Sequence, residues 1–280
     1  MPLNETVIRG AEFDTNTPAP AFSMSVEGLE GTGKTHFSLL GTPPPVVHIN
    51  LADRDATWFM YNMSEERRKQ TTLYDIQPST PNGWTRDEAR EAINRVSAIA
   101  KDHLSDRKMI GGTFVLDSGT SYWEQIQAVY VAPEQEKREQ AKLEGLPSGK
   151  RTGGLEYMQG NLIVNGVINW IKNQGAFVIL THRKTQEWGP TGPIPGKFRA
   201  QINRKVPYLV EVRLDLYKIC TVCGAEECEA KKHQGRKHMA RFLKFSASTA
   251  LEGFAWELTE EDPGFAMVYQ LYTGKGPFWK

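Results

Sequence analysis

The stretch Val26-Glu27-Gly28-Leu29-Glu30-Gly31-Thr32-Gly33-Lys34-Thr35 (VEGLEGTGKT) decides how the rest of the chain is read. A glycine is followed by four residues and then by Gly-Lys-Thr, without gaps. An apolar run, Ala21 to Glu27, precedes it as a strand, and a helix to about Leu40 follows. In a strand–loop–helix setting, glycines let successive backbone N–H groups converge on phosphate oxygens, and the helix start adds positive potential. Lys34 then supplies a point charge for the β- and γ-phosphates, and Thr35 a hydroxyl for Mg²⁺. The candidate nucleotide-binding segment is Gly28, Leu29, Glu30, Gly31, Thr32, Gly33, Lys34 and Thr35. Glu30 would repel a triphosphate if turned inward, so it is expected to face solvent or a neighbouring subunit.

Such a loop needs an acidic residue at the end of a second apolar strand. Thr113 to Ser118 (TFVLDS) supplies Asp117, a catalytic carboxylate and Mg²⁺ partner. A further carboxylate should orient the attacking water. Asp53, after the strand Val46 to Ala52, is expected there, with Asp55 as the alternative. Beyond the continuous apolar strand of AFVILTH, Thr181 and His182 are placed to sense the γ-phosphate.

The remaining segments fix the fold class. Residues 86–104 repeat apolar side chains at helical spacing: Ala89, Ile93, Val96, Ile99, Ala100 and Leu104. LIVNGVINWIKNQG, 162–175, reads as another helix. YLVEVRLDLYKI and ARFLKFSAS alternate like paired strands. The expected fold is α/β, a mostly parallel sheet with antiparallel edge strands and a small Cys-rich insert. Residues 1–20 are expected to form an N-terminal arm and 21–280 one ATPase domain, with the insert, 220–238, at a hairpin tip. The segments 132–154 and 187–207 read as a charged mobile stretch and a long Gly/Pro loop.

At this point the pattern resembles a RecA-type ATPase core. VRLDLYKI, Val212 to Ile219, is similar to the RecA strand that follows its second DNA-binding loop, and 187–207 occupies that loop's position. The size, the TH pair and the charged insert resemble the phage-encoded RecA-like P-loop ATPases that promote single-strand annealing. The resemblance implies ATP and Mg²⁺ binding by Lys34 and Thr35, Asp53 as catalytic base and His182 as sensor. It further implies single-stranded DNA as partner, a homo-oligomeric ring or filament, and a single-strand-binding protein beside it. The base is an aspartate where that family has a glutamate, and the sensor is a histidine where it has an amide. ATP-modulated strand binding or annealing is therefore expected rather than full strand exchange. An ATPase accessory of the helicase-loader or motor type, acting on a protein partner, is the alternative. A small-molecule kinase fits less well, because no arginine-rich lid lies near the loop.

The net charge of +1 excludes a chain that binds nucleic acid through its overall charge, so contacts must be local. Lys197, Arg199, Arg204 and Lys205 crowd one segment with Phe198 among them, cations for phosphates and a ring for base stacking. Lys150 and Arg151 offer a second contact. Arg183, Lys184, Arg213 and Lys244 are candidates to reach a neighbouring subunit's γ-phosphate. No apolar run is long enough to span a bilayer and no signal peptide is recognisable, so the cytoplasm, of a bacterial host if phage-encoded, is the expected compartment.

All three cysteines of the chain lie in CTVCGAEECEAKKH, giving Cys220, Cys223, Cys228 and His233 at spacings suited to tetrahedral Zn²⁺. His238 is the alternative fourth ligand, and Lys231, Lys232, Arg236 and Lys237 alongside could touch nucleic acid. If Lys197, Arg199, Arg204 and Lys205 neutralise about four phosphates, log K against log salt should fall with a slope of about −3 on single strands. Filter binding over a salt series reads this slope. A salt-independent affinity would remove these residues from the interface.

Overall fold

The computed structural model describes residues 21–51, 55–80, 83–105, 109–144, 157–190, 192–226, 233, 235–259, 262 and 264–276. The expected N-terminal arm, 1–20, lies outside them. The chain opens with β1 (Ser23–Gly28), α1 (Lys34–Leu40), β2 (Val46–Leu51), α2 (Asp55–Asn62), α3 (Glu65–Lys69) and β3 (Thr71–Ile76). It continues through α4 (Arg86–Leu104), β4 (Thr113–Asp117), α5 (Gly119–Ile126), α6 (Ala132–Leu143) and α7 (Met158–Asn173). β5 (Phe177–Gly189), β6 (Gly192–Ala200), α8 (Val206–Leu209), β7 (Val212–Cys220), β8 (Arg236–Phe245), β9 (Ala255–Leu258) and α9 (Phe265–Thr273) complete it.

The sheet order is β3-β2-β4-β5-β1-β7-β8-β9, with β6 paired to the outer part of β5. β3 through β7 run parallel to their neighbours, whereas β8, β9 and β6 add antiparallel strands. This is the α/β class and mixed sheet that the segment order implied. Strand β5 lies between β1 and β4, so the loop after β1 and the carboxylate ending β4 share one sheet edge, separated by one strand.

Alternation along the strands sends side chains to two cores. Val47, Ile49, Phe114, Leu116, Val178 and Leu180 pack under α4, α5 and α7. Met24, Val26, Val115, Phe177 and Ile179 pack on the other face, under α1 and α9. The helix α4 has the bounds its periodicity predicts. Thr85 caps it, accepting from the Glu88 N–H while Glu88 reaches back to the Thr85 N–H.

Two expectations are corrected. The Gly/Pro stretch after Thr181 is a β-hairpin for most of its length: β5 runs on to Gly189 and β6 returns antiparallel, Thr185 facing Arg199 and Gln186 facing Phe198. Pro193 and Pro195 are tolerated because β6 is an edge strand, and an edge leaves every second N–H without a ladder partner. Likewise, the charged stretch from residue 132 is the helix α6, with Pro133 in its first turn and built largely from Glu, Gln, Lys and Arg, which are good helix formers. Its end, 145–154, lies outside the described residues.

The α9 helix closes the second core. Phe265 is fully buried, stacked on Phe22 at 5.6 Å and edge-on to Phe177 at 5.5 Å. Phe265→Ala should therefore destabilise the chain by about 3–5 kcal/mol, read as a shift in urea midpoint at unchanged slope. A loss below about 1 kcal/mol would show that α9 is not part of the cooperative core.

Candidate functional site

The glycine loop is held by its own backbone and by β7. A Cβ on Gly28 would collide with the Thr32 hydroxyl and lie 2.7 Å from the Leu216 carbonyl oxygen, so only glycine fits there. Gly33 caps α1 at φ 96°, a left-handed conformation that favours glycine. The Thr32 hydroxyl donates to the Leu29 carbonyl at 2.9 Å. Lys34 Nζ donates to the carbonyls of Gly28, at 3.1 Å, and Leu29, at 2.8 Å. Glu30 is exposed and lines the rim of the same cleft as Lys34 and Thr35.

Asp117 is the focus of the site, at 4% exposure. The Thr35 hydroxyl donates to Oδ2 at 2.9 Å, and the Thr181 hydroxyl makes a short hydrogen bond to Oδ1. His48, from the middle of β2, brings Nε2 to 3.4 Å from Oδ2, ion-pair range without hydrogen-bond geometry. Burial alone would push the Asp117 carboxyl up, but His48 and the two threonine hydroxyls outweigh it and hold it below the usual carboxylate range. Four segments, β2, β4, β5 and α1, therefore meet at one ionised carboxylate.

Of the TH pair, Thr181 joins this cluster and His182 does not. Successive strand residues face opposite sides, and His182 turns onto the α5 side. There its Cε1 lies 2.6 Å from where a Gly119 Cβ would be. His182 is 1% exposed, and burial holds its pKa down to about 3, with the Arg213 charge adding to the effect. Beside it in register stands Glu27, buried and bonded by Arg213 Nε at 2.8 Å. Burial raises the Glu27 carboxyl further than Arg213 lowers it.

Lys34, Thr35 and Asp117 open onto a cleft of about 1160 Å³. Trp58 and Phe59 of α2, which packs on α1, also line it, and Arg183, Lys184 and Gln201 line the β5 side. Asp53 lies outside the described residues, as does the side chain of its alternative, Asp55. Lys184, Arg213 and Lys244, considered for action across an interface, have identified internal acceptors. Lys184 pairs with Asp215 and Arg213 with Glu27, while Lys244 donates to the carbonyls of Pro207 and Val210 at 2.9 and 2.6 Å. Arg183 faces the cleft.

On the hairpin, Lys197 and Arg199 are exposed and Phe198 is half-buried on the alternate face, opposite Gln186. Arg204 and Lys205 are exposed just before α8. The prominent exposed rings of this region are Trp188, at 71%, and Tyr208, at 83%. Neither was singled out in the sequence, because an isolated aromatic carries no spacing signal. Lys150, Arg151, Lys231 and Lys232 lie outside the described residues.

At the β7–β8 tip, ligand atoms of Cys220, Cys223 and His233 lie within 4.8 Å of one another. Cys228 lies outside the described residues. His238 is directed elsewhere: its Nδ1 stands 3.1 Å from the Thr32 carbonyl oxygen, on the glycine loop. Among the described residues no helix is long and apolar enough to cross a membrane. Comparison with protein-family models and with curated proteins returned no match to this chain.

The buried His182 gives the site a pH signature. A histidine of folded pKa about 3 binds no proton in the fold that the unfolded chain, at about 6.5, would bind. Its contribution to stability is therefore complete above about pH 6.5 and lost as pH falls towards 3. Between pH 6.5 and 4 the wild type should lose roughly 3 kcal/mol through this residue. Unfolding free energies across that range should fall less steeply for His182→Gln, and parallel curves would contradict the assignment.

Proposed function

We propose that this chain is a RecA-like P-loop ATPase that binds single-stranded DNA and acts in strand annealing or recombination. The observation that carries the reading is the Thr35 hydroxyl on the Asp117 carboxylate, at the mouth of the cleft that Lys34 also lines. A hydroxyl and a carboxylate from separate elements, placed beside a lysine and a glycine loop, form the donor set that a Mg²⁺–nucleoside triphosphate requires. The parallel sheet supports this, since ligands of open α/β sheets sit at the carboxyl ends of the strands.

In this reading the loop amides and Lys34 bind the β- and γ-phosphates. Thr35 and Asp117 are the oxygen ligands for Mg²⁺, which when bound neutralises charge on the phosphate oxygens. Trp58 and Phe59, which line the cleft, offer faces for the base. The low pKa of Asp117 keeps it an acceptor throughout the neutral range. Asp53, by its position after β2, orients the attacking water, and Thr181 rather than His182 links the carboxylate to β5. That strand runs directly into the hairpin bearing Lys197 and Arg199, so a shift at Thr181 reaches the cationic surface along one continuous strand. Trp188 on the hairpin and Tyr208 on α8 supply exposed rings, and rings with cations are the combination that single strands need.

The decisive assay is ATP hydrolysis with and without single-stranded DNA. Wild type should hydrolyse ATP faster when DNA is present, and Lys34→Ala should lose activity by on the order of 10²-fold. Equal rates for wild type and Lys34→Ala would reject the nucleotide site. Hydrolysis that depends on Lys34 but ignores DNA would favour an ATPase accessory acting on a protein partner.

A further inference from the structure

The β7–β8 tip is built like a metal knuckle. Cys220 is the last residue of β7 and is 1% exposed, Cys223 is exposed, and His233 stands half-buried on the returning segment. Their ligand atoms lie within 4.8 Å of one another. Ligands of one tetrahedral zinc stand about 3.5 Å apart, so small side-chain rotations close the difference. The turn that carries the two cysteines is shaped for a thiolate. Gly224 takes φ 74°, its N–H donates to the Cys220 carbonyl at 2.9 Å, and the Cys220 N–H donates to the Ala225 carbonyl at 2.9 Å. That closure aims the Val222 N–H at Cys220 Sγ, 3.4 Å away. A backbone donor directed at sulfur stabilises the charged form and is the outer support metal ligands receive. Two sulfurs and an imidazole are soft and borderline ligands that favour Zn²⁺ over Mg²⁺ or Ca²⁺.

The tip sits one rung from the glycine loop. Cys220 pairs with Arg236, and two residues inward Lys218 pairs with His238. His238 Nδ1 meets the Thr32 carbonyl at 3.1 Å, and Lys218 Nζ lies 3.3 Å from the position of a Cβ on Gly31. Whatever fixes the end of this hairpin therefore fixes the side chains that flank the loop.

We propose that Cys220, Cys223 and His233 bind a Zn²⁺ ion that pins the end of the β7–β8 hairpin and holds Lys218 and His238 against the glycine loop. Two thiolates and an imidazole supply three of the four positions of a tetrahedral zinc, and the effect proposed for the ion is to stop the last rungs of the hairpin from fraying. The inference is independent of what the loop binds.

Metal content of full-length protein purified under reducing conditions, without chelator, tests the site. About one zinc per chain is expected, and Co²⁺ exchanged into it should give thiolate-to-metal charge-transfer absorption. Cys223→Ser and His233→Ala should each lose most of the zinc, and because Cys223 is exposed its serine variant removes no core packing. Lys34→Ala should keep the zinc, so a failed nucleotide reading and a failed metal reading remain distinct. Hydrogen exchange before and after chelator treatment tests the staple, with amides of 216–220 and 236–240 exchanging about tenfold faster once zinc is removed. Wild-type protein without zinc and without Co²⁺ absorption overturns the site. Zinc bound with unchanged exchange in those strands overturns the staple.

Discussion

A carboxylate buried to 4% exposure cannot stay charged unless donors surround it, and Asp117 is the point at which this chain meets that requirement. The Thr35 and Thr181 hydroxyls, from α1 and β5, donate to it, and the His48 imidazole of β2 stands within ion-pair range. They converge only because β5 is laid between β4 and β1 and β2 lies on the far side of β4. The sheet order and the ionised state of Asp117 therefore depend on each other. The same packing aligns the glycine loop with the carboxylate and leaves the cleft between them open.

Two hairpins extend this centre outward. One is the continuation of β5 past Thr181, which becomes a surface ribbon with β6 and carries Lys197 and Arg199. The other is β7–β8, whose inner rungs place Lys218 and His238 on the glycine loop and whose tip gathers Cys220, Cys223 and His233. Between them lie two buried carboxylates with partly exposed cations: Glu27 with Arg213, and Asp215 with Lys184 and Arg241. Each carboxylate is paired, as charges under the sheet edge must be. These pairs engage Lys184 and Arg213 within the chain.

Much of the frame was legible in the sequence because it depends on residue types at short spacing. Gly28 to Thr35 and TFVLDS announce their own turn and strand end, and the helical repeat from Ala89 to Leu104 fixes α4. What escaped depends on non-local pairing or on a single step of register. His48 reads as one polar residue inside an apolar strand, and nothing local says that Asp117 lies beside it. The choice between Thr181 and His182 is one residue, and one residue reverses the face of a strand. The β5–β6 ribbon was hidden because Gly189, Pro190, Pro193, Pro195 and Gly196 mask the alternation that would mark a strand. His238 looked like a metal ligand by spacing alone, until the register of β8 turned it towards Thr32.

The pairing of Thr35 with Asp117 as a Mg²⁺–nucleotide site is tested most directly by the Mg²⁺ dependence of nucleotide affinity. A fluorescent ATP analogue titrated into wild type and Asp117→Asn, each with Mg²⁺ and with chelator, gives the four constants required. The expected result is wild-type binding that tightens on adding Mg²⁺ and Asp117→Asn binding that still occurs through Lys34 but no longer responds to the ion. The same Mg²⁺ response in both proteins would contradict the site.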